Sequence, residues 1–548
     1  MNILFIMYDQ LRHDYLGCAG HPHMKTPNMD RLAAMGVRFT EAYVQSPVCG
    51  ASRMSTYTGR YVSSHGAAWN GVPLRVGELT LGDHLRKAGM DCWLIGKTHM
   101  AADAEGMARL GLAPDSVIGA RQAECGFDVW VRDDGLWAEG PDGFYDTRPS
   151  PYQEHLRDQG YPGPNPWAEH ANAGIGPDGE QLSGWFLQNA REAANIREED
   201  SETAWLTDRA LDFMGEARGP WCAHLSYIKP HWPYIVPAPY NALYGPEHVV
   251  PAIRTEEERR TPHPVYGAFM GNRIAAAFGR DDVRETVIPA YMGLIAQCDA
   301  HLGRLLDRLE ATGAIRDTMI VLTSDHGDYL GDHWLGEKDL FHAPSIKVPL
   351  IVYDPRPEAD ATRGTTCAAL VEAIDLAPTF VEAAGAEPPR HQLEGRSLIS
   401  WLHGETPPDW RRAAISEYSY ALTPIAPALG VDPKDARLFM VFDGRWKMVH
   451  AEGGLGAMLF DLATDPGELN DLARDAPDHP ELSRLYWLLH DWARRDAQRV
   501  TISDREIEAR RGRSLRRGIL PFLVDGSEVP DELTAAYRRK PGADFTKG

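Results

Sequence analysis

Several continuous apolar runs in the sequence end in polar residues, a pattern typical of buried parallel strands in an α/β protein. The first run, residues 3–8, is followed directly by Asp9 and Gln10. Three later runs end in the same way, at residues 91–95, 221–228 and 318–323. Strands buried on both faces are apolar throughout, and ligands of open α/β sheets bind at the carboxyl ends of the strands. The pattern therefore predicts a large, mostly parallel sheet with one site shared by the polar residues that follow its strands.

The patterning divides the chain into one large part and two smaller ones. Residues 1–387 carry the strand pattern, interrupted at about residues 101–195 by a stretch rich in Gly, Pro and Trp that we interpret as an insertion near the site. Residues 388–480 show short alternating stretches that predict a small antiparallel subdomain containing a hairpin. Residues 481–548 are expected to form a helix and a charged, extended tail that builds a homodimer or homotetramer.

Composition and charge narrow the class of protein. The 548 residues include 78 Asp and Glu against 56 Lys and Arg, and the formal charge of −22 argues against a nucleic-acid-binding surface. The seven cysteines form no C-x-x-C pair of the kind used in zinc or redox sites. The apolar run at residues 3–8 has no basic region before it and is too short for a signal peptide or a membrane span. We therefore expect a cytoplasmic protein with no membrane or nucleic-acid partner.

The most specific segment is Cys49-Gly-Ala-Ser-Arg53, followed by a Thr-Gly-Arg stretch that ends at Arg60. It resembles the C-x-P/A-x-R signature of the sulfatase family, with Ala51 in place of the usual proline. The resemblance implies that a formylglycine-generating enzyme oxidises Cys49 to formylglycine. One hydroxyl of the hydrated aldehyde would attack the ester sulfur, and the second would lose its proton so that the covalent intermediate expels sulfate.

Matching segments continue in the same order through most of the first 400 residues and extend the resemblance to a metal site. Asp9 and Gln10 stand where many arylsulfatases have two aspartates, and Asp325 and His326 stand where many have Asp-Asn. This ligand set resembles that of the phosphonate monoester hydrolase branch of the same alkaline-phosphatase-like superfamily. The fold expected from the resemblance is that α/β sandwich, with a large mixed, mostly parallel sheet flanked by helices and a small antiparallel C-terminal subdomain.

The resemblance also implies one divalent metal ion, Mn²⁺, Ca²⁺ or Zn²⁺. Its expected ligands are Asp9, Gln10, Asp325, His326 and the modified Cys49. Carboxylate and amide oxygens suit all three ions, and an imidazole ligand favours Mn²⁺ or Zn²⁺ over Ca²⁺.

Cations and histidines complete the resemblance. Arg53, one helical turn after Cys49, is expected to steady the hydrated aldehyde. Lys97 and His99 match the sulfatase G-K-x-H segment, in which the lysine binds the nucleophile and sulfate oxygens and the histidine is the base for collapse of the intermediate. Phosphonate monoester hydrolases carry Tyr and Thr at these two places.

Three more residues match positions on the leaving-group side of the family's site. His231 fits the histidine that protonates the leaving oxygen, and Lys338 fits the lysine that binds this oxygen or a sulfate oxygen. Asn70 falls where the family can place an amide near the substrate. Histidines near these motifs that match less well are interpreted as structural or as outer neighbours of the site: His65, His333 and His342.

Three functions remain open on the sequence alone. A hydrolase of small aryl or alkyl sulfate monoesters, promiscuous toward phosphate and phosphonate esters, is favoured by Lys97 and His99. A phosphonate monoester or phosphodiester hydrolase with the same nucleophile is favoured by Gln10 and His326. A catalytically silent anion-binding protein would leave several matched residues idle. The predicted insertion allows an aryl pocket or an aromatic cage for a cationic head group, through Trp130, Trp137, Trp167 and Trp185.

Overall fold

The apolar runs predicted as strands lie side by side in an eight-stranded sheet of the computed structural model. The structure describes residues 1–135, 150–495, 497, 500–511, 524 and 526–528. The strands in these residues are β1 (Asn2–Asp9), β2 (Val37–Tyr43), β3 (Asp91–Gly96), β4 (Asp128–Arg132), β5 (Ala173–Ile175), β6 (Gln181–Ser183), β7 (Trp221–Pro230), β8 (Thr318–Ser324), β9 (Leu350–Tyr353), β10 (Thr365–Glu372), β11 (Ala414–Ser419), β12 (Arg437–Phe442), β13 (Trp446–Ala451) and β14 (Gly456–Asp461).

The large sheet has the strand order β10-β2-β9-β8-β1-β7-β3-β4. Strand β9 runs antiparallel to both of its neighbours, and the remaining pairs are parallel. The sheet is therefore mixed and mostly parallel, as predicted. Its parallel strands place the residues that follow β1, β3, β7 and β8 at one edge.

Helices cover both faces of the large sheet. The α-helices of the described residues are α1 (Pro27–Met35), α2 (Cys49–Thr58), α3 (Val62–His65), α4 (Leu81–Lys87), α5 (Ala104–Arg109), α6 (Val117–Ala123), α7 (Pro151–Asp158), α8 (Glu202–Glu216), α9 (Glu256–Arg260), α10 (Pro264–Met270), α11 (Arg273–Phe278), α12 (Asp281–Thr312), α13 (Ala343–Ile346), α14 (Leu376–Ala383), α15 (Ile399–Leu402), α16 (Ile425–Ala428), α17 (Leu472–Asp475), α18 (Pro480–Ala493) and α19 (Asp504–Arg510).

The alternation of side chains along β1 explains why two cores form. Phe5 and Met7 pack in a cluster on one face of the sheet, and Leu4 and Ile6 pack in another on the opposite face. All four are fully buried, because successive residues of a strand point to opposite faces and helices cover both. The run at residues 3–8 is continuously apolar because both faces of the strand are buried.

The helix that begins at Cys49 is buried along its whole length. Every residue of α2 is buried, and the helix ends at Gly59, whose φ of 64° lies in the left-handed region that favours glycine. The glycine of the Thr-Gly-Arg stretch therefore terminates the helix that carries the candidate nucleophile.

A four-stranded antiparallel sheet follows in the chain, as predicted, with the order β11-β12-β13-β14. The turn at Asp443-Gly444 joins β12 to β13, the hairpin expected from the sequence. Helix α18 packs on this sheet through Leu482, Leu485 and Leu488.

Two compact units are present, one formed by Met1–Pro388 with Leu393–Arg495 and the other by Pro389–Gln392 with Asp496–Gly548. The eight-stranded and four-stranded sheets, and the two-stranded sheet of β5 and β6, lie in the first unit. Most of the tail for which we predict oligomerisation, together with Trp137, lies outside the described residues. In the part of the chain that the structure describes, no helix has the length and apolar character needed to cross a bilayer.

The segment interpreted as an insertion also contributes to the large sheet. Strand β4 lies within it and pairs in parallel with β3 at the edge of the sheet. Of its five residues only Val131 is buried, so the strand lacks the continuous apolar pattern that marks the central strands in the sequence.

Candidate active site

The carboxyl edge of the large sheet gathers the residues expected to form the site. Asp9 ends β1, and Gln10 follows it. Lys97 follows β3, His231 follows β7, and the Asp325-His326 pair follows β8. Helix α2 begins with Cys49 at the same edge. Residues far apart in the chain are thereby brought to one point, because the strands that precede them run in parallel.

Cys49 lies at the centre of this group and is fully buried. Its Sγ is 3.0 Å from His326 Nε2, 3.0 Å from Lys338 Nζ and 3.9 Å from Asp9 Oδ1. Burial and the neighbouring Asp9 carboxylate raise the pKa of the Cys49 thiol to about 11. Without a bound cation, an unmodified thiol at this position is therefore a weak nucleophile.

Two carboxylates face Cys49, and buried cations hold them. Asp9 Oδ2 accepts hydrogen bonds from Lys97 Nζ at 2.6 Å and from Arg53 Nη2 at 3.2 Å. Arg53 Nε donates to Asp325 Oδ2 at 2.7 Å. Burial opposes ionisation of Asp9, but the charge of Lys97 and the other nearby cations outweighs it and holds the Asp9 pKa well below its ordinary value. Arg53 thus bridges the two carboxylates, and no hydrogen bond within the described residues joins it to the Cys49 sulfur.

His326 presents one ring nitrogen to the same point. Its Nδ1 lies 2.8 Å from the carbonyl oxygen of Gly327, so Nδ1 carries the hydrogen and Nε2 carries the lone pair. Nε2 is 3.5 Å from Asp9 Oδ1 and 3.7 Å from Asp325 Oδ1. Burial lowers the pKa of His326, which favours the neutral imidazole that metal ions bind.

The donor set fits a divalent metal ion. Asp9, Cys49, Asp325 and His326 each offer a ligand atom, and these atoms all lie within 4.8 Å of one another. Gln10 adds an amide oxygen, Oε1, which is buried and has no hydrogen-bond partner among the described residues. Oxygen atoms together with one imidazole nitrogen are ligands that Mn²⁺ and Zn²⁺ accept.

His231 and Lys338 lie together beside Cys49. Lys338 Nζ is 3.2 Å from His231 Nε2, and His231 Nε2 is 3.9 Å from Asp9 Oδ1. His231 Nδ1 lies 2.9 Å from the carbonyl oxygen of Trp232, which requires a hydrogen on Nδ1. The Nε2 atom is therefore the one that can exchange a proton with a bound ligand.

Two residues predicted for the site are placed differently from this cluster. No hydrogen bond within the described residues joins the ring of His99 to Cys49; its backbone N–H donates to Asp134 Oδ1 at 3.0 Å, and its Nδ1 is buried without a partner. Asn70 Oδ1 accepts a hydrogen bond of 2.8 Å from the backbone N–H of Gly50. Asn70 thus contacts the first turn of α2 rather than the sulfur.

A second cluster of possible ligand residues does not fit a metal ion. Glu258, His333 and His342 lie close together, and Glu258 Oε1 is 2.6 Å from His333 Nδ1. The two rings stack with centroids 3.6 Å apart and planes only 2° apart. Their nitrogen lone pairs lie in the ring planes and run parallel instead of converging on one ion. The structural role expected for His333 and His342 stays a prediction.

Several residues that hold the site together were not predicted from the sequence. Ser226 Oγ accepts a hydrogen bond of 2.7 Å from Arg53 Nη1, and Ser52 Oγ donates to the carbonyl oxygen of Asp325 at 2.6 Å. Asp328 and Tyr234 both contact the Gln10 amide. Ser226 had a signal, since it is a polar residue inside the apolar run that forms β7. Tyr234 had none, because its contact depends on the path of a loop.

Comparison with known proteins agrees with the motif. The sequence model described as Sulfatase matches residues 1–386, and one described as N-sulphoglucosamine sulphohydrolase, C-terminal, matches residues 331–491. The multifunctional alkaline phosphatase superfamily protein PehA of Trinickia caryophylli is 31% identical over 517 residues, which cover 88% of this chain and 93% of that protein. An arylsulfatase of Clostridium perfringens is 26% identical, with 86% and 90% covered.

Solved structures give the same result for the fold. The phosphonate monoester hydrolase SpPMH from Silicibacter pomeroyi superposes with a TM-score of 0.77 at 30% identity, over 90% of this chain and 94% of that one. The alkaline-phosphatase-like architecture expected from the sequence is confirmed. With the family model matched over most of the chain and a relative at 31% identity, the protein belongs to the sulfatase family of the alkaline phosphatase superfamily.

Proposed function

We propose that this protein hydrolyses sulfate monoesters with a formylglycine, formed from Cys49, as its nucleophile. The observation that carries the proposal is the position of Cys49 Sγ, which has the candidate ligand His326 and the cation Lys338 each at 3.0 Å. A nucleophile that must attack a charged sulfuryl group requires positive charge around it.

The chain's own residues provide the charge and the orientation for this reaction. When bound, a divalent cation supplies positive charge that favours ionisation of a hydroxyl on residue 49. Asp9, Gln10, Asp325 and His326 would hold this ion. Arg53 fixes the carboxylates of Asp9 and Asp325 through its hydrogen bonds to both.

Lys97 and Lys338 are the cations that would bind the oxygens of the sulfuryl group. Lys338 Nζ lies directly beside the Cys49 sulfur, and Lys97 Nζ is bound to Asp9 on the other side of the site. Fixed charges of this kind stabilise the charge that develops on the transferring group, because they need no reorganisation during the reaction.

His231 is the proposed acid for the leaving oxygen. The Trp232 carbonyl holds the hydrogen on Nδ1, and burial keeps the pKa of His231 well below its ordinary value, so Nε2, beside the Lys338 ammonium, must take up a proton before it can protonate the leaving oxygen. His99 is the proposed base for collapse of the intermediate, since its buried Nδ1 lacks a partner among the described residues. His99→Ala should therefore accumulate the covalent sulfo-enzyme, which intact-protein mass spectrometry after rapid acid quench detects.

An aromatic path leads from His231 toward the surface on the proposed leaving-group side. The ring of Trp232 lies 4.2 Å from that of His231 and 5.6 Å from that of Trp185, which is 54% exposed. Such a path suits a planar aryl leaving group. Trp185→Ala should raise KM for an aryl sulfate and leave KM for a small alkyl sulfate unchanged; equal effects on both would remove Trp185 from this role.

A second candidate function is hydrolysis of phosphonate monoesters or phosphodiesters with the same nucleophile. The Gln10 and His326 ligands and the similarity to SpPMH favour it, whereas Lys97 and His99 favour sulfate esters. The deciding experiment compares kcat/KM for 4-nitrophenyl sulfate and 4-nitrophenyl phenylphosphonate on the same enzyme preparation. A preference for the sulfate supports the first function, and a clear preference for the phosphonate replaces it with the second.

A further inference from the structure

In the side-chain amide of Gln10, the nitrogen is hydrogen-bonded and the oxygen has no hydrogen-bond partner among the described residues. Gln10 Nε2 donates to Tyr234 Oη at 3.0 Å and also to Asp328 Oδ2. Gln10 Oε1 is buried and lacks a hydrogen-bond partner in the described ranges. A carboxylate oxygen can only accept, so the NH₂ end of the amide must be the end that faces Asp328. This contact settles which end is which.

Asp328 and Tyr234 are hydrogen-bonded to each other as well as to the Gln10 amide, and these contacts fix the orientation of the amide. Tyr234 Oη donates to Asp328 Oδ2 at 2.8 Å, and Asp328 Oδ1 accepts from the backbone N–H of Leu330 at 2.9 Å. Asp328 is fully buried, and Tyr234 is 2% exposed. A flipped amide would place Oε1 against a carboxylate and remove the hydrogen bonds that Nε2 donates, both of which are unfavourable in a buried site.

The backbone of Gln10 is fixed as firmly as its side chain. Its φ of 68° lies in the left-handed region, which non-glycine residues adopt only under strain. The strained residue is held by two hydrogen bonds, from its N–H to Asp325 Oδ1 at 3.1 Å and from Tyr291 Oη to its carbonyl oxygen at 2.7 Å. These hydrogen bonds fix the backbone position from which the Gln10 side chain extends, beside Asp325.

We propose that Asp328 and Tyr234 are positioning residues that orient the Gln10 amide so that Oε1, and not Nε2, faces the metal ion. The inference rests on the metal site of the proposed function. Asp328 and Tyr234 would not bind the ion themselves. They would prevent the Gln10 amide from rotating by half a turn, so that only its oxygen faces the ion. Tyr234 follows His231 by three positions, so the same loop supplies the candidate acid and one of the two positioning groups.

The test is the affinity of the metal-free protein for Mn²⁺, measured by isothermal titration calorimetry. Outer partners of metal ligands typically change affinity by about 10- to 100-fold. Asp328→Asn should weaken binding by that factor, because the amide introduced at this position no longer requires an NH₂ group opposite to it. Tyr234→Phe should weaken binding by about threefold to tenfold, since one of two groups remains. Tyr152→Phe, which removes the hydroxyl of a buried tyrosine bound to the Asp200 carbonyl, is the matched control and should bind as the wild type does.

A double variant that exchanges the amide of Gln10 and the carboxylate of Asp328 distinguishes a positioning role from a general structural effect. Gln10→Glu alone should weaken binding, because it places a second carboxylate against Asp328. The double variant Gln10→Glu/Asp328→Asn restores a donor opposite an acceptor and leaves one oxygen of the introduced carboxylate for the ion. It should bind Mn²⁺ more tightly than either single variant.

Each outcome bears on a defined part of the account. If the single variants at positions 328 and 234 bind Mn²⁺ as the wild type does, or if the exchange binds no better than Asp328→Asn, the positioning role is overturned while the metal site stands. If the wild-type protein itself binds no divalent ion, both the metal site of the proposed function and the positioning role are overturned.

Discussion

Lys338 Nζ lies 3.0 Å from Cys49 Sγ, although 289 positions separate the two residues in the chain. The contact joins the first residue of a buried helix to a loop that follows β8. A lysine ammonium directly against the atom that becomes the nucleophile is the arrangement expected when negative charge must be stabilised there. The contact therefore links the family motif at Cys49 to the leaving-group side of the site.

Removal of the nucleophile should abolish turnover without unfolding the protein. Cys49→Ala is expected to lower kcat by about a thousandfold or more, because the remaining groups have nothing to activate. Cys367→Ala, a half-buried cysteine outside the site, is the matched control and should keep full activity. Steady-state rates and melting temperatures of both variants decide the matter; substantial turnover by Cys49→Ala would exclude the covalent mechanism.

Loss of the proposed acid should depend on the leaving group. His231→Ala is expected to slow hydrolysis of an ester with a poor leaving group by about 10²- to 10⁴-fold, and of a nitrophenyl ester far less, since only a poor leaving group needs a proton. A series of substituted phenyl sulfates measures this as a steeper dependence of log kcat on the pKa of the phenol. An unchanged slope would remove His231 from the acid role.

Arg53 should matter for stability as well as for catalysis. Its guanidinium is fully buried and bridges Asp9 and Asp325. Arg53→Met leaves both carboxylates without this partner, which costs about 3–5 kcal/mol in buried ion pairs. Arg280→Met, at an arginine whose side chain is 65% exposed and whose partner Asp282 is 64% exposed, is the control and should cost less than about 1 kcal/mol.

Addition of Mn²⁺ should recover part of the stability that Arg53→Met loses, because a divalent cation compensates the same carboxylates. Urea unfolding of both arginine variants, with and without Mn²⁺, measures the two effects. Equal losses for the two variants would show that Asp9 and Asp325 do not depend on Arg53.

Because of Asp299 on α12, the free energy of unfolding should decrease as the pH rises from 4 to 6. Its carboxylate accepts hydrogen bonds from the backbone N–H groups of Asn28 and Met29 at the start of α1, and burial raises its pKa from 3.8 to about 6. The folded state therefore binds more protons than the unfolded state in this range, so the free energy of unfolding decreases as the pH rises through it.

The full effect is about 3 kcal/mol from two pKa units, of which about 2 kcal/mol falls between pH 4.5 and pH 7.5. Asp299→Asn does not titrate, so the wild type should gain stability relative to this variant at pH 4.5 compared with pH 7.5. Asp307→Asn changes an exposed aspartate of the same helix and serves as the control. A difference between wild type and Asp299→Asn that does not change with pH would contradict the shift.

The sequence predicted those parts of the fold and site that depend on local pattern. Strands β1, β7 and β8 are buried on both faces, so their apolar runs and the polar residues after them are visible in the sequence. Strand β4 is short and half-exposed, with only three apolar residues between Asp128 and Arg132, so it does not stand out from the surrounding segment that we interpret as an insertion. The contact of Tyr234 with Gln10 spans 224 positions and depends on how a loop returns to the sheet. No local pattern carries that information.

The central claim is that residue 49 acts as a formylglycine. The most direct test is the mass of the tryptic peptide of residues 39–53 from protein produced in its native host. The account predicts an aldehyde, or its hydrate, in place of the Cys49 thiol. An intact thiol that persists when a formylglycine-generating enzyme is co-expressed would contradict the account, because the cations and metal ligands around Cys49 would then lack the nucleophile they are proposed to serve.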